Sequence, residues 1–159
     1  MQILTTNNLN ELRKKVQEIL KKNKERKSEE QEKIAVLTQE DEFNRKVLEM
    51  KIDCLIINES LGKKDYSKQR NSDLNEVLAK IAAKNNIKIA IDMDKIIAKS
   101  DTEKAKSLAR LKQNIMLCKK SGAKLVFLSD KKSNRDLPSI LISLGATTSQ
   151  ASQAIKQAF

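Results

Sequence analysis

The residues best placed to do chemistry are four carboxylates that follow apolar segments of this 159-residue chain: Glu59, Asp92, Asp94 and Asp130. Carboxylate oxygens are ligands that Mg²⁺ prefers, so a converging set could hold that ion and support phosphoester hydrolysis. The same acids could instead cap helices and pair with neighbouring lysines. The second interpretation is the simpler one, and it predicts no metal site and no cofactor in this chain.

The chain contains no histidine. It therefore lacks the usual general base at neutral pH and the commonest transition-metal ligand, and Ser-His-Asp and Cys-His arrangements are excluded. Cys54 and Cys118 stand in apolar segments, which predicts small buried side chains in a reducing compartment. No apolar run reaches the length of a membrane span and no signal-peptide pattern opens the sequence, so we expect a cytoplasmic protein with no membrane partner.

The positive charge is unevenly distributed. The chain has 32 Lys and Arg against 21 Asp and Glu, a net charge of +11, and residues 95–135 carry twelve of these bases and only three acids. Such an excess is either a solvated lysine-rich surface or the electrostatic footprint of a polyanion. Lys63, Lys64, Lys68 and Arg70 lie in one predicted loop after a strand, and Lys131, Lys132 and Arg135 lie in another. If both loops emerge at one rim of the sheet, they form a single positive edge.

The candidate RNA-contacting residues lie either on one face of a predicted helix or in one of these two loops. They are Lys63, Lys64, Lys68, Arg70, Lys106, Arg110, Lys120, Lys131, Lys132 and Arg135. Helical geometry predicts that the three on the helix, Lys106, Arg110 and Lys120, point to solvent. Arg110 and Arg135 rank first because a guanidinium binds phosphate bidentately. Replacing both with alanine should weaken RNA association and leave thermal unfolding nearly unchanged.

Reading of individual bases is not expected. Aromatic residues make up 3% of the chain, and Phe43 and Phe127 lie in apolar patterns typical of a core. No stacking platform of the kind found in single-strand binders is visible. The composition predicts recognition of the backbone and shape of a structured RNA.

Five short segments have the character of strands, and the third is apolar nearly throughout, as expected of a strand buried on both faces. They are QILTT (2–6), IAVLT (34–38), IDCLIIN (52–58), IKIAIDM (87–93) and KLVFLS (124–129). A long loop, residues 59–72, follows the third.

Helical spacing of apolar residues fills the intervals between the strands. The first helix runs to about Lys27, with Asn8 and Glu11 as a cap pair. A short second helix is marked by Phe43, Val47 and Met50.

The third helix opens at Asp73 with Glu76 and stops at an asparagine pair, because asparagine tolerates the left-handed conformation. Its apolar face comprises Leu74, Val77, Leu78 and Ile81, and the stop is Asn85 and Asn86. A long helix over 102–121 ends at Ser121 and Gly122. Its apolar side comprises Ala105, Leu108, Leu111, Ile115 and Cys118. Two short helices follow, one after Pro138 and one from Thr147, where Gln150 stands at capping-box distance.

Alternation of strands and helices predicts one α/β domain, residues 1–159, with a parallel sheet covered by helices. An open doubly wound sheet and a complete or partial (β/α) barrel both satisfy this pattern. No glycine-rich phosphate loop follows any strand, which argues against nucleotide-binding versions of the open sheet.

Four blocks, in this order, resemble ribonuclease P protein component 3, the TIM-barrel-like subunit of archaeal and eukaryotic ribonuclease P. They are EDEFNRKVLEMKIDCLIINESLGKKDY, LNEVLAKIAAKNNIKIAIDM, ARLKQNIMLCKKSGAKLVFLSDKKSNRDL and LISLGATTSQASQAI. The resemblance covers about residues 40–159, whereas residues 1–39 match loosely and the units that usually open the family's barrel are missing. We therefore expect a TIM-barrel-like domain that is abbreviated or open, with about five strands.

The resemblance implies a non-catalytic subunit of a ribonucleoprotein endonuclease. In that enzyme the RNA subunit carries the chemistry with Mg²⁺ and removes the 5′ leader of precursor tRNA, which the protein meets only indirectly. The implied partners are the ribonuclease P RNA, the RRM-like ribonuclease P protein component 2 and other protein subunits. The C-terminal helices, with Leu141, Leu144 and Ile155, are candidates for a partner surface, although these side chains also fit a core.

Two other functions compete with this one. A carboxylate-based, Mg²⁺-dependent phosphoesterase related to the polymerase-and-histidinol-phosphatase superfamily would need the strand-end acids to converge. A protein-interaction scaffold would need no basic edge, and it leaves the charge excess in residues 95–135 unexplained.

Overall fold

A computed structural model describes residues 1–58, 64–65, 70–128 and 136–156. Within these ranges five strands form one sheet. Their bounds are β1 Gln2–Leu4, β2 Ile34–Leu37, β3 Cys54–Ile56, β4 Lys88–Asp92 and β5 Leu125–Leu128. Every neighbouring pair is parallel, with Ile3 opposite Ala35 between β1 and β2 and Ala90 opposite Val126 between β4 and β5.

Seven α-helices and one 3₁₀ turn lie in the described part of the chain. The helices are α1 Leu9–Lys24, α2 Asp41–Leu48, α3 Glu76–Lys84, α4 Met93–Ile97, α5 Asp101–Ser121, α6 Leu137–Ser143 and α7 Thr148–Lys156, and the 3₁₀ turn is Ser28–Glu30. No helix in these ranges combines the length and the apolar character that a membrane crossing requires.

The strand order is β1-β2-β3-β4-β5, the same as the order along the chain. In a doubly wound sheet the strand order reverses at a switch point, whereas in a barrel each strand lies beside the one that precedes it in the chain. In the described residues β1 pairs only with β2 and β5 only with β4. The prediction of an open, barrel-like α/β fold with about five strands is confirmed.

The two faces of the sheet carry different side chains because alternate strand residues point to opposite sides. One face packs Val36, Leu55, Ile89 and Phe127 against the helices in the main core. The other face carries a small cluster, Ala35, Cys54, Ile56, Ala90 and Val126, each at most 2% exposed. Helices thus cover one side of the sheet, as in a barrel.

Local stop and cap signals position the helices. The Asn8 side chain accepts hydrogen bonds from the backbone N–H groups of Asn10 and Glu11, at 2.9 and 3.3 Å, and so begins α1. Asn86 adopts φ 55° after α3 and Gly122 adopts φ 77° after α5, as predicted for both ends. The Thr147 and Gln150 capping box is also present, with reciprocal bonds of 3.1 and 3.2 Å.

The start of α3 differs from the prediction. Asn75, not Asp73, caps the helix, with its side chain accepting from the Leu78 backbone N–H at 2.9 Å. Asp73 is buried, adopts φ 58° and accepts a 2.7 Å bond from the Thr38 hydroxyl. That tertiary hydrogen bond uses the carboxylate that would otherwise cap the helix.

Two residues placed on apolar helix faces lie outside instead. Val77 is 57% exposed, and Ala105 is exposed as well. In α5 the buried side includes polar residues, Ser107 and Asn114, which hydrogen-bond to side chains beyond the helix. The buried stripe is therefore rotated relative to a stripe drawn through apolar residues alone. The short helix α4 was not predicted.

Candidate nucleic-acid interface

Parallel strands deliver their carboxyl ends to one edge of the sheet, and Asp92 and Asp94 lie there. Asp92 ends β4 and caps α4, accepting a 3.1 Å hydrogen bond from the Lys95 backbone N–H and pairing with the Lys95 Nζ at 3.3 Å. Asp94 lies in the first turn of α4. For Asp92 the capping interpretation is correct, since its oxygens are already used by the neighbouring helix.

The metal-site hypothesis needed four acids to converge. Glu59 and Asp130 lie outside the described residues. Among the described ranges no group of three or more Cys, Asp or Glu side chains is arranged to hold a metal ion.

A carboxylate that was not predicted organises this edge. Asp65 Oδ1 accepts hydrogen bonds from Arg110 Nε and Nη2 at 3.2 and 3.0 Å, and Asp65 Oδ2 accepts one from Arg70 Nη1 at 3.1 Å. The Asn71 backbone N–H adds a 3.0 Å bond to Oδ1. Burial opposes ionisation of Asp65, but the Asn71 N–H and the two guanidinium groups outweigh it and hold the pKa below its ordinary value.

This pairing corrects the expectation for Arg110. Its side chain is only 14% exposed, because the guanidinium turns from the surface of α5 toward Asp65. Arg70 shares the same carboxylate but keeps about half of its side chain exposed. Arg110 therefore cannot offer an unoccupied fork to a phosphate without giving up Asp65.

The other predicted cations fall into two groups. Lys64 and Lys106 are exposed, and Lys120 is exposed with its Nζ 3.3 Å from a Glu76 carboxylate oxygen. The remaining five lie outside the described residues, namely Lys63, Lys68, Lys131, Lys132 and Arg135. The meeting of the two basic loops at one rim stays a prediction.

Residues 70–72 are anchored to α5 by an amide network. Gln113 accepts from the Arg70 backbone N–H at 3.2 Å and donates to the Arg70 carbonyl at 3.0 Å. The Ser72 hydroxyl donates to Asn114 Oδ1 at 2.7 Å, and both side chains are buried. Residues 70–72 are thereby held against α5.

Sequence reasoning missed Asp65, Gln113 and Asn114. The only signal for Asp65 is that it is the one acid within the basic stretch KKDYSKQR. The two amides stand next to the apolar stripe of α5, where a polar residue near the core indicates a hydrogen-bond partner.

The cysteines and the C-terminal apolar residues are part of the interior. Cys54 and Cys118 are buried free thiols, and burial raises the pKa of each to about 12. Leu141 is buried in the core, and Leu144 and Ile155 pack against it. Leu141 is therefore not available to a partner, and a partner surface at the partly buried Leu144 and Ile155 stays a prediction.

Comparisons with known proteins support the resemblance. No protein-family model matches the sequence. A stretch of 70 residues, 44% of this chain, is 39% identical to ribonuclease P protein component 3 of Methanosarcina acetivorans and 37% identical to that of Methanosarcina mazei. The matched stretch spans 29% of the length of each of these relatives.

The fold has a solved counterpart. A chain in the cryo-EM structure of archaeal ribonuclease P with mature tRNA superposes on 96% of this chain with a TM-score of 0.75 and 23% sequence identity. The superposition covers 62% of that chain. The resemblance to component 3 is therefore confirmed in sequence, and the fold of this chain superposes on part of a known chain.

Proposed function

We propose that this chain is a non-catalytic protein subunit of ribonuclease P. It binds and stabilises the catalytic RNA and so supports removal of the 5′ leader from precursor tRNA. The observation that carries the proposal is the 39% identical match to component 3, in a chain whose fold matches one seen in an archaeal ribonuclease P. Enzyme activity then belongs only to the assembled holoenzyme.

Electrostatics supplies the physical role. Folding an RNA brings phosphates close together, and a basic protein lowers that repulsion and releases condensed counterions. The chain carries a net charge of +11 and α5 exposes Lys106, Lys112 and Lys119. These lysines, with the candidate loops on either side, would track the sugar-phosphate backbone and not the bases.

The chemistry is assigned to the RNA and its Mg²⁺. The chain has no histidine to act as a general base at neutral pH. The one strand-end acid whose contacts are described, Asp92, serves as a helix cap and pairs with Lys95. We propose no cofactor for the protein itself.

The protein partners follow from the same resemblance. We propose the RRM-like component 2 as the direct partner, together with other ribonuclease P protein subunits, with precursor tRNA approached through the RNA. The cytoplasm is the proposed location, and two free buried thiols are compatible with a reducing compartment.

The test is reconstitution. Cognate ribonuclease P RNA and component 2 are combined with and without this chain, and precursor-tRNA cleavage is measured over a range of Mg²⁺ concentrations. We expect the chain to raise the rate at low Mg²⁺ or to lower the Mg²⁺ requirement, because protein charges replace part of the screening by metal ions.

Two controls sharpen the result. The chain incubated alone with Mg²⁺ and a generic phosphodiester should release no product, and cleavage there would favour the phosphoesterase alternative. An unrelated protein of similar positive charge should not reproduce the effect of the chain. If the chain changes neither the rate nor the Mg²⁺ dependence, the proposed function is wrong.

A further inference from the structure

A second cationic feature lies at the opposite end of the sheet from the predicted rim. A cleft of about 760 Å³ opens where the end of α1 meets residues 28–33 and residues 51–53, just before β2 and β3 begin. Four lysines line it: Lys21 and Lys24 from α1, Lys33 before β2 and Lys51 before β3. None of them was among the predicted RNA-contacting residues.

The lysines of the cleft outnumber its two carboxylates, Glu32 and Asp53. Glu32 is held by Arg26 at 2.9 Å, and Asp53 Oδ2 accepts the Ile34 backbone N–H at 2.8 Å. Lys21, Lys24 and Lys51 are exposed and form no ion pair with any residue in the described ranges. A concave surface therefore presents several cations that could meet an external anion.

Lysines in the last turn of a helix often only complement the helix dipole. That explanation covers Lys21 and Lys24 but not Lys33 and Lys51, which belong to separate connections. Their convergence is a property of the tertiary fold, and it concentrates positive potential in one depression.

The wall of the cleft is held rigidly by asparagine side chains. Asn23 donates to the Glu32 carbonyl and accepts from the Glu32 N–H, both at 2.9 Å, and this pair ties the end of α1 to the segment before β2. The Asn85 side chain, which also lines the cleft, donates a 2.6 Å hydrogen bond to the Leu48 carbonyl. A preformed wall lowers the ordering cost when an anion binds.

We propose that this cleft binds the phosphate backbone of a structured RNA, at a contact separate from the rim at the carboxyl ends of the strands. The inference rests on the proposed function and adds a second RNA-facing surface to it. The volume is suited to a nucleotide-sized group. The described lining contains no aromatic side chain, so contact is with phosphates and not with stacked bases.

Matched pairs of substitutions test the site. The cleft variant is Lys24→Gln with Lys51→Gln. The control is Lys14→Gln with Lys84→Gln, two exposed lysines that have no ion pair in the described ranges and do not line the cleft. Both variants lose the same charge, and both should keep the wild-type melting temperature because all four side chains are exposed.

Binding to cognate ribonuclease P RNA is measured over a series of salt concentrations. We expect the cleft variant to lose about tenfold in affinity near physiological salt and to show a salt slope shallower by roughly 1 to 2, as for the loss of one or two phosphate contacts. The control should change by less than about twofold. Equal losses of affinity in the two variants would show that the cleft is not an RNA-binding site. The proposed function would still be tested separately by the cleavage assay on the wild-type chain.

Magnetic resonance separates RNA from a small phosphorylated ligand. The side-chain amide signals of Asn23 and Asn85 should shift when a short RNA duplex is added, and much less with inorganic phosphate at the same phosphate concentration. Equal shifts with free phosphate would overturn the assignment to RNA. If the wild-type chain accelerates precursor-tRNA cleavage but these signals do not move with RNA, the cleft is wrong and the proposed function stands.

Discussion

Replacing Arg110 with alanine should destabilise the fold, and this replaces the earlier expectation that its loss leaves unfolding nearly unchanged. The guanidinium donates two hydrogen bonds, of 3.2 and 3.0 Å, to one oxygen of Asp65. These bonds join the helix α5 to the segment around residue 65, which lies 45 positions earlier in the chain. The substitution removes both bonds and leaves Asp65 with Arg70 and the Asn71 N–H.

The magnitude follows from burial. Fully exposed ion pairs contribute at most about 1 kcal/mol, and breaking a buried pair costs about 3–5 kcal/mol. Arg110 is 14% exposed and Asp65 is 29% exposed, so the pair lies between these cases. We expect a loss of about 2 kcal/mol, close to the range for a hydrogen bond to a charged group. In a chain of this length the melting temperature should fall by roughly 4–8 °C.

Urea unfolding of four proteins measures the coupling directly: wild type, Arg110→Ala, Asp65→Ala and the double variant. A coupling energy of about 1–2 kcal/mol is expected for two side chains in contact. The control is Lys106→Ala, an exposed lysine on the same helix, which should stay within about 0.5 kcal/mol of wild type. RNA binding by the Arg110 variant must then be compared well below its melting temperature.

The reasoning is refuted if Arg110→Ala unfolds at the same urea concentration as Lys106→Ala. A coupling energy near zero, with both single variants destabilised, would also refute it. In that case the stability of this edge would come from the amide network of Gln113 and Asn114 and not from the ion pair.

Three further predictions concern the same scaffold. First, the folded state holds the pKa of Asp65 below its ordinary value of 3.8, so the stabilisation from ionised Asp65 is complete above that pH and is lost as pH falls through the folded pKa. The difference in unfolding free energy between wild type and Asp65→Asn should therefore be constant at neutral pH and shrink in acid. A difference that grows in acid would contradict this direction. Second, Asn114→Ala should cost about 2–3 kcal/mol in urea unfolding, because the buried Ser72 hydroxyl loses its 2.7 Å acceptor; a change below about 0.5 kcal/mol would show that water replaces the amide. Third, Gly122→Ala should cost about 1 kcal/mol in thermal unfolding although nothing lies within 4 Å of the added Cβ, because φ there is +77°; an unchanged melting temperature would mean that the helix end relaxes.

Local signals accounted for most of the elements. The apolar runs are short and continuous, and the stops at Asn86 and Gly122 require a left-handed residue that few side chains tolerate. The cap at Asn8 and the box at Thr147 are equally local, since each spans three or four positions. Such features are readable from sequence because their energetics involve only nearby backbone groups.

The failures share a cause. Asp73 looked like a cap until the fold brought Thr38 to it from 35 residues away. Ser107 and Asn114 were not placed on the buried side of α5, where Lys99 and Ser72 hydrogen-bond to them. Arg110 was expected to be a solvent-exposed cation, but its guanidinium donates hydrogen bonds to Asp65. Each depends on a partner that is distant in sequence, and helical periodicity alone cannot identify such a partner.

By itself the sequence determined the class of this protein: parallel α/β, histidine-free, strongly basic and similar in four ordered blocks to ribonuclease P protein component 3. The tertiary structure decided that the strands follow one another in the sheet without a switch point, and that Arg110, one of the two arginines ranked first, is committed to a carboxylate. It also decided that four lysines from three segments meet in one cleft. Composition and local periodicity are properties of short stretches, so they can be read without the tertiary structure. Strand order, ion pairing and charge convergence are set by which distant segments pack together, and that is settled only when the whole core forms.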